Sequence, residues 1–322
     1  MILNGHFKTD ENTINFQNHP KGIRSRIKIV NTLQKKETIT GWLFILPVII
    51  GLSIFQYGAM IYSMYISCTK WDLLTPPKWV GIANYLDILH DKEFYQCMSN
   101  TLFFVIVMVP FGIALSMSMA IALNRQIKGC SLFRATFYMP SITSTIAISM
   151  IWLWIFNPDQ GVLNTILRVI GVHNPPRWLE SVIWAKPALS IVKLWQCSGY
   201  YMVIYLAGLQ NIPNELYEAG DIDGANFWQK IQYITIPMLA PTTFFVTIML
   251  MIDSFNTFEV IYAMTKGGPG GSTNTILYYI YTKAFQSYRM GYAASLSWVL
   301  FAILFTLTLI QFIVRKKREE ES

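Results

Sequence analysis

The sequence predicts an all-α fold, a polytopic membrane protein of six transmembrane helices with a polar loop between the fourth and the fifth. Three observations predict it. Of 322 residues, 53% are apolar and only 13% charged, against about 25% charged in a typical soluble domain. The apolar residues gather into runs of roughly twenty instead of spreading at core periodicity. Lysines and arginines flank those runs and do not interleave with aromatic residues on one polar face. The net charge of +7 is therefore no nucleic-acid footprint.

Taken in order, residues 1–37 read as a basic tail lacking the apolar core of a cleaved signal peptide. Residues 38–314 read as one six-span domain and 315–322 as a second tail. The spans are expected at 41–66, 101–124, 135–156, 186–209, 238–264 and 293–314. Each is long enough to cross a hydrocarbon core of about 30 Å at about 1.5 Å per residue. Pro47, Pro110, Pro140 and Pro187 fall in or near these runs. Membrane helices accommodate them because neighbouring helices re-satisfy the freed carbonyls.

In the second span Gly112, Ser116 and Ala120 recur every fourth residue, a spacing for close helix approach or for ordinary packing inside the bundle. The connection "TKWDLLTPPKWVGIANYLDIL" is rich in Trp, Tyr and Pro, as at a membrane interface. "GVLNTILRVIGV" has the spacing of a short amphipathic surface helix. "GGPGG", within 266–273, reads as a flexible turn.

Counting only Lys and Arg, the two tails with the 125–134 and 210–237 loops carry fifteen, and the opposite side eight. The positive-inside rule then places both termini in the cytoplasm.

The chemistry of an enzyme is missing. His6, His19, His90 and His173 lie outside the spans, and no H-E-x-x-H or G-x-S-x-G occurs. "KGGPGGST" puts its lysine before the glycines, where it cannot bind phosphate as a P-loop lysine does. The sequence thus predicts no catalysis, no metal and no cofactor. Uphill movement of a solute would draw on a partner or an ion gradient. Cys130 and Cys197 read as small apolar residues. Cys68 and Cys97 share an outer loop as a disulfide or as two thiols, and their spacing resembles no framework.

The loop "IPNELYEAGDIDGANFWQKIQYITIP" (212–237) sets four carboxylates and two glycines between apolar runs, with one lysine. Pro213 suits an early helical position, and Glu215 and Glu218 complement the dipole of the first turns. Gly220 and Gly224 are expected to interrupt the helix beside Asp223, and Pro237 opens the fifth span. A short helix, a tight bend and a second short helix make a compact docking element.

Glu218-Ala219-Gly220, then Gly224, then Ile234-Thr235-Ile236-Pro237 resemble the "EAA…G…I-x-L-P" signature of permease subunits of binding-protein-dependent ABC importers. Gly220 replaces the usual Ala and Ile236 the usual Leu. "LFILPVIIGLSIFQY", "WDLLTPPKWVGIANY", "NPDQGVLNTILRVIG", "LAGLQNIPNELYEAG" and "MTKGGPGGSTNTILYYIYTKAF" extend the resemblance over nearly all of residues 40–314. They look like the carbohydrate-uptake branch, including permeases for maltose, multiple sugars and glycerol 3-phosphate.

The resemblance implies a bacterial inner-membrane subunit that couples to ATPases through Glu218, Ala219, Gly220, Asp223 and Gly224. Glu218 is expected to hold the loop by charge-assisted hydrogen bonds, and Gly224 to allow a backbone closed to residues with a Cβ. The implied partners are a second permease, two cytoplasmic ABC ATPase subunits, an extracellular solute-binding protein, the bilayer and a carbohydrate.

A sugar is held by aromatic stacking and a few fixed polar groups. Trp195, Tyr200 and Tyr201 of the fourth span and Asp253, Ser254 and Thr257 of the fifth supply both. By resemblance, these helices line the solute cavity in maltose permeases. The alternative is interfacial aromatics with polar helix–helix contacts. Lys193 either snorkels outward, pairs with Asp253, or faces an anionic sugar. The rival class is a secondary transporter or channel for a small polar solute. It would need internal repeats and helices broken at the midplane, and no convincing repeat between the halves is visible.

Overall fold

The computed structural model describes residues 38, 40–124 and 129–321, with side chains to Lys317. The basic N-terminal tail, Arg125 and Lys128 lie outside the described residues, as does the Arg318 side chain. All of them enter the charge count above. The chain divides into two units, Met1–Tyr62 and Ser63–Ser322. The described part of the first is apolar helix, belonging to α1 (Thr40–Ser67).

In the second unit, β1 (Thr69–Lys70) and β2 (Lys78–Trp79) pair antiparallel, Thr69 with Trp79 and Lys70 with Lys78. Among the described residues this small ladder is the one departure from an all-α chain. Next come α2 (Ala83–His90) and α3 (Lys92–Leu123). Asp91 caps α3, its carboxylate accepting the Glu93 N–H at 2.9 Å. Pro110 lies inside α3 without ending it. Gly112, Ser116 and Ala120 form a buried stripe. A Cβ at Gly112 would sit 3.0 Å from the Leu250 methyls. The stripe is packing within the bundle.

The third expected span is not one straight helix. α4 (Cys130–Ile142) and α5 (Thr145–Ile155) meet at 99°. Pro140 weakens the last turn of α4. Thr143 and Ser144 then swing to ψ 145° and 125°, and the Thr143 N–H turns back to the Pro140 carbonyl. Hydropathy alone passes over this bend, because residues that favour leaving the helix interrupt an otherwise apolar run. The expected surface helix is α6 (Val162–Val169). Its buried Asn164 accepts from Trp178 Nε1 at 2.7 Å and donates to the Pro158 and Pro176 carbonyls.

The fourth expected span is α7 (Ala185–Gln210), about 39 Å long at 1.5 Å per residue. It packs on α3, α4, α10 (Ala240–Phe255) and α11 (Glu259–Met264). Gln196, Ser198, Tyr201 and Tyr205 are buried along it. These residues keep α7 out of the set of helices apolar enough to cross a membrane by composition. A helix sheathed by protein needs no apolar exterior.

The fifth expected span is broken at Asn256–Phe258, between α10 and α11. After α12 (Ile276–Tyr281) comes α13 (Met290–Glu321), which runs as helix through the segment expected as a C-terminal tail. Four stretches are long and apolar enough to span: α1, α3, α10 with α11, and α13. The bent α4–α5 pair makes a fifth if it counts as one. The chain is a mostly helical, multi-pass membrane protein.

The second unit has two distinct ends. Lys186 at the start of α7 donates to Asn100 Oδ1 near the start of α3, at 3.2 Å. The two helices therefore run the same way. One end carries the hairpin, α2 and residues 265–289; the other carries Asn124, Gly129 and residues 211–239.

Candidate functional site

Between α7 and α10 the chain forms α8 (Asn214–Ile222) and α9 (Phe227–Lys230). A wide turn at Ile231–Thr235 and a short helical piece, Ile236–Met238, follow. α8 ends in a Schellman motif. The Ala225 N–H donates to the Gly220 carbonyl at 2.8 Å and the Gly224 N–H to Asp221 at 3.1 Å. Gly224 sits at φ +75° with nothing within 4 Å of a built Cβ. Backbone conformation, not space, is what demands glycine there.

Only Gly224 breaks the helix. Gly220 lies inside the last turn of α8, where a Cβ would come 3.2 Å from Ile234 Cδ1. Asp223 is the C-cap. Asn226 and Gln229 then form a reciprocal capping box that starts α9.

The charge that ties this loop is Asp221, whose carboxylate pairs with Lys230 Nζ. Tyr217 and Thr235 share a hydroxyl contact of 3.0 Å. Glu218 does not play the role expected of it. It is exposed, as is Ala219, and accepts no hydrogen bond among the described residues. The loop also carries bare apolar side chains: Ile222 is 87% exposed, Trp228 74% and Tyr233 70%.

Deeper in the bundle, a cavity of about 310 Å³ is lined by Lys193, Asp253, Thr257 and Glu259, with Thr145 and Asn256. The buried Tyr201 hydroxyl donates to Asp253 Oδ2 at 2.9 Å. Lys193 shares the cavity with two carboxylates but makes no ion pair among the described residues. Asp253 is therefore oriented by a tyrosine and not by the lysine.

The other expected pathway residues divide. Thr257 lines the cavity. Ser254 is fully buried and donates to the Leu250 carbonyl at 2.6 Å, serving its own helix. Trp195 and Tyr200 lie partly exposed outside the cavity, edge-on to Trp152 and Tyr201. Thr145 and Asn256 were not singled out from sequence. Thr145 follows directly on one helix break and Asn256 opens another, and the polar runs "SITST" and "DSFNTFE" are the signals available for them.

At the α4–α7 crossing a Cβ on Gly199 would lie 1.9 Å from the Phe137 carbonyl oxygen. The two backbones touch. Ser141 Oγ donates to the Gln196 carbonyl at 2.9 Å and accepts the Tyr200 N–H at 3.1 Å. Those are the two groups an α-helix would pair with each other. Gln196 Nε2 donates to Thr145 Oγ1 at 3.0 Å, so the bend is tied to α7 on both sides.

At the hairpin end, the glycine-rich segment is pinned, not a flexible turn. Asn100 Nδ2 donates to the Gly271 and Asn274 carbonyls, each at 2.9 Å. The Ile276 N–H reaches Thr101 Oγ1 at 3.0 Å, and Thr273 Oγ1 reaches the Gly268 carbonyl at 2.7 Å. Nearby, the Tyr279 and Tyr292 hydroxyls both donate to Asp91 Oδ2. Burial pushes the Asp91 carboxyl upward. The two tyrosines and the Glu93 and Phe94 N–H groups outweigh it and hold the group below the usual carboxylate range. Cys68 and Cys97 are free thiols.

Residues 112–319 match the family described as "Binding-protein-dependent transport system inner membrane component". The chain is 36% identical to the probable ABC transporter permease protein YesP of Bacillus subtilis, over 86% of this chain and 91% of that one. It is 33% identical to the lactose transport system permease protein LacF of Rhizobium radiobacter, over 90% and 98%. Among solved structures, its fold is similar to a chain of a bacterial alginate ABC transporter in complex with a periplasmic protein bound to alginate pentasaccharide. That likeness has a TM-score of 0.76 at 23% identity and covers 86% and 93% of the two chains.

Proposed function

The chain belongs to the family of binding-protein-dependent transport system inner membrane components, and from that premise we propose that it is the permease subunit of an ABC importer for carbohydrate. It crosses the bacterial inner membrane six times, α7 serving as the protein-sheathed fourth span, with both termini in the cytoplasm. A second permease completes the pathway. An extracellular solute-binding protein delivers the sugar, and two cytoplasmic ATPase subunits hydrolyse ATP. A secondary transporter or channel has no place in this family.

The observation that carries the reading is the loop 212–237. Its backbone is fixed by a Schellman bend and a capping box while its apolar side chains stay bare. A shape made rigid before contact loses less entropy when a partner binds. Glu218, Ala219, Gly220, Asp223 and Gly224 form the element that transmits ATPase motion, with Glu218 free to meet the partner. The sugar assignment leans on relatives such as the lactose permease.

Affinity purification of this chain from its native membrane should bring down an ABC ATPase and a second permease. Their absence would remove the proposal. A cysteine at Asn174 should be labelled only from outside, and labelling from inside would invert the topology.

Along the pathway, Asp253 and Thr257 face the sugar, Tyr201 orients Asp253 from behind, and Trp195 and Tyr200 turn toward the second permease. Ser254 supports the helix behind them. Asp253→Asn and Tyr201→Ala are expected to lower sugar uptake at least about tenfold by losing an oriented acceptor, and Lys193→Met less so. If all three variants kept wild-type uptake at equal expression, the pathway would lie elsewhere.

A further inference from the structure

A cleft of about 380 Å³ opens at the hairpin end, between the ladder, α2 and the start of α13. Its cations are Lys70, Lys78 and Arg289, all exposed at the rim. Lys70 and Lys78 are direct cross-strand partners, an arrangement in which like charges repel. None of the three cations makes an ion pair among the described residues. Of the two carboxylates lining the cleft, Asp72 is committed to its own turn. Its Oδ1 accepts from the Thr75 and Leu74 N–H groups and from the Thr75 hydroxyl. The lining thus carries three positive charges against two negative ones, with Asp72 turned to its own loop.

The repelling cations are held in place by rigid backbone. Asn84 Nδ2 donates to the Ser67 and Thr69 carbonyls at 2.8 and 2.9 Å. The Met290 N–H donates to Trp71 at 2.9 Å. At Gly291 a Cβ would fall 1.8 Å from the Thr69 carbonyl oxygen, so the start of α13 abuts the ladder directly. The Arg289 guanidinium lies 4.6 Å over the Tyr292 ring. A fixed cleft with a net positive lining, whose cations have no ion-pair partner among the described residues, suits an anion that arrives from outside the chain. Exposed Leu74, Trp79 and Ile82 beside it supply apolar area suited to a protein surface.

We propose that this cleft receives an acidic side chain of the solute-binding protein and so steers its docking. The inference rests on the importer reading above, in which this end faces outward. Rim charges of this kind act mainly on association and on its salt dependence.

The test uses the complete transporter in nanodiscs of phosphatidylcholine alone, titrated with its purified, sugar-loaded solute-binding protein. ATPase stimulation is followed at low and raised salt. Lys70→Glu with Lys78→Glu is expected to raise the half-saturating concentration about tenfold, leaving basal and maximal rates unchanged. Raised salt should weaken the wild type and, by screening the introduced repulsion, strengthen the variant or leave it unmoved. The Lys70→Arg, Lys78→Arg pair should behave as wild type, and Arg289→Gln should fall between.

An unchanged half-saturating concentration in the glutamate variant would overturn the proposal, as would equal loss in the arginine pair. A salt effect that appears only when anionic lipid is added would overturn it in favour of a headgroup site. A wild-type transporter that the binding protein does not stimulate at all would strike the importer reading instead.

Discussion

The two ends of the second unit solve opposite problems. At the hairpin end, polar groups are turned on one another: Asp91 gathers two tyrosines, Asn100 clamps two carbonyls, and Thr101 caps a strand of chain 175 residues away. At the other end, the 212–237 loop settles its backbone with a few local bonds and leaves Ile222, Trp228 and Tyr233 in the open. The first end has its buried polar groups paired within the chain and leaves open only the rim of the cationic cleft. The second has a finished shape and an unfinished surface, as expected of an element whose packing comes from another subunit.

The sharpest way to break this comparison is at Gly224. A β-branched residue at φ +75° costs roughly 1–2 kcal/mol or more and unwinds the Schellman bend. Gly224→Val is expected to reduce sugar uptake about a hundredfold, the scale at which small misplacements disable a mechanism, with the subunits still co-purifying. Gly224→Asn should keep most uptake, because asparagine enters the left-handed region more readily. Normal transport in Gly224→Val would mean that the shape of the loop is not what matters.

The next effect belongs to the closed end and should appear as stability. Asp91→Ala strands the Tyr279 and Tyr292 hydroxyls together with the Glu93 N–H, a loss of about 2–4 kcal/mol. Thermal unfolding of the solubilised protein would read it. The sign with pH follows from the depressed folded value: Asp91 contributes above its unfolded pKa of about 3.9, and the contribution fades as pH falls through the folded value. Asp91→Asn should lack that part of the acid loss.

The smallest effect is at Asp221, which is largely exposed. Asp221→Asn should cost no more than about 0.5 kcal/mol, vanish at high salt and leave uptake near normal. A collapse of uptake as deep as that of Gly224→Val would show that charge, not backbone shape, holds the loop.

The sequence revealed what depends on composition and local spacing. Run lengths located α1, α3, α7 and α13 within a few residues, except that α3 begins nine residues early and α13 runs on to Glu321. The glycine at the bend and the Asp253 and Thr257 positions were also legible. What escaped is decided between distant segments. Nothing local says that Asn100 would immobilise the glycine-rich segment, nor that Asp221 would tie the loop in place of Glu218. Ser254 and Thr257 look alike in the string, and only packing turns one inward to its helix and the other to the cavity.

The Ser141 hydroxyl at the crossing of α4 and α7 works as a clasp. It bonds both the Gln196 carbonyl and the Tyr200 N–H, the acceptor and donor of one rung of the central helix. Were the two helices to part, those groups would still have each other as helical partners, orphaning no peptide group. Contact and separation at this crossing thus leave the same two peptide groups satisfied. Where most buried junctions would tear, this one unbuttons.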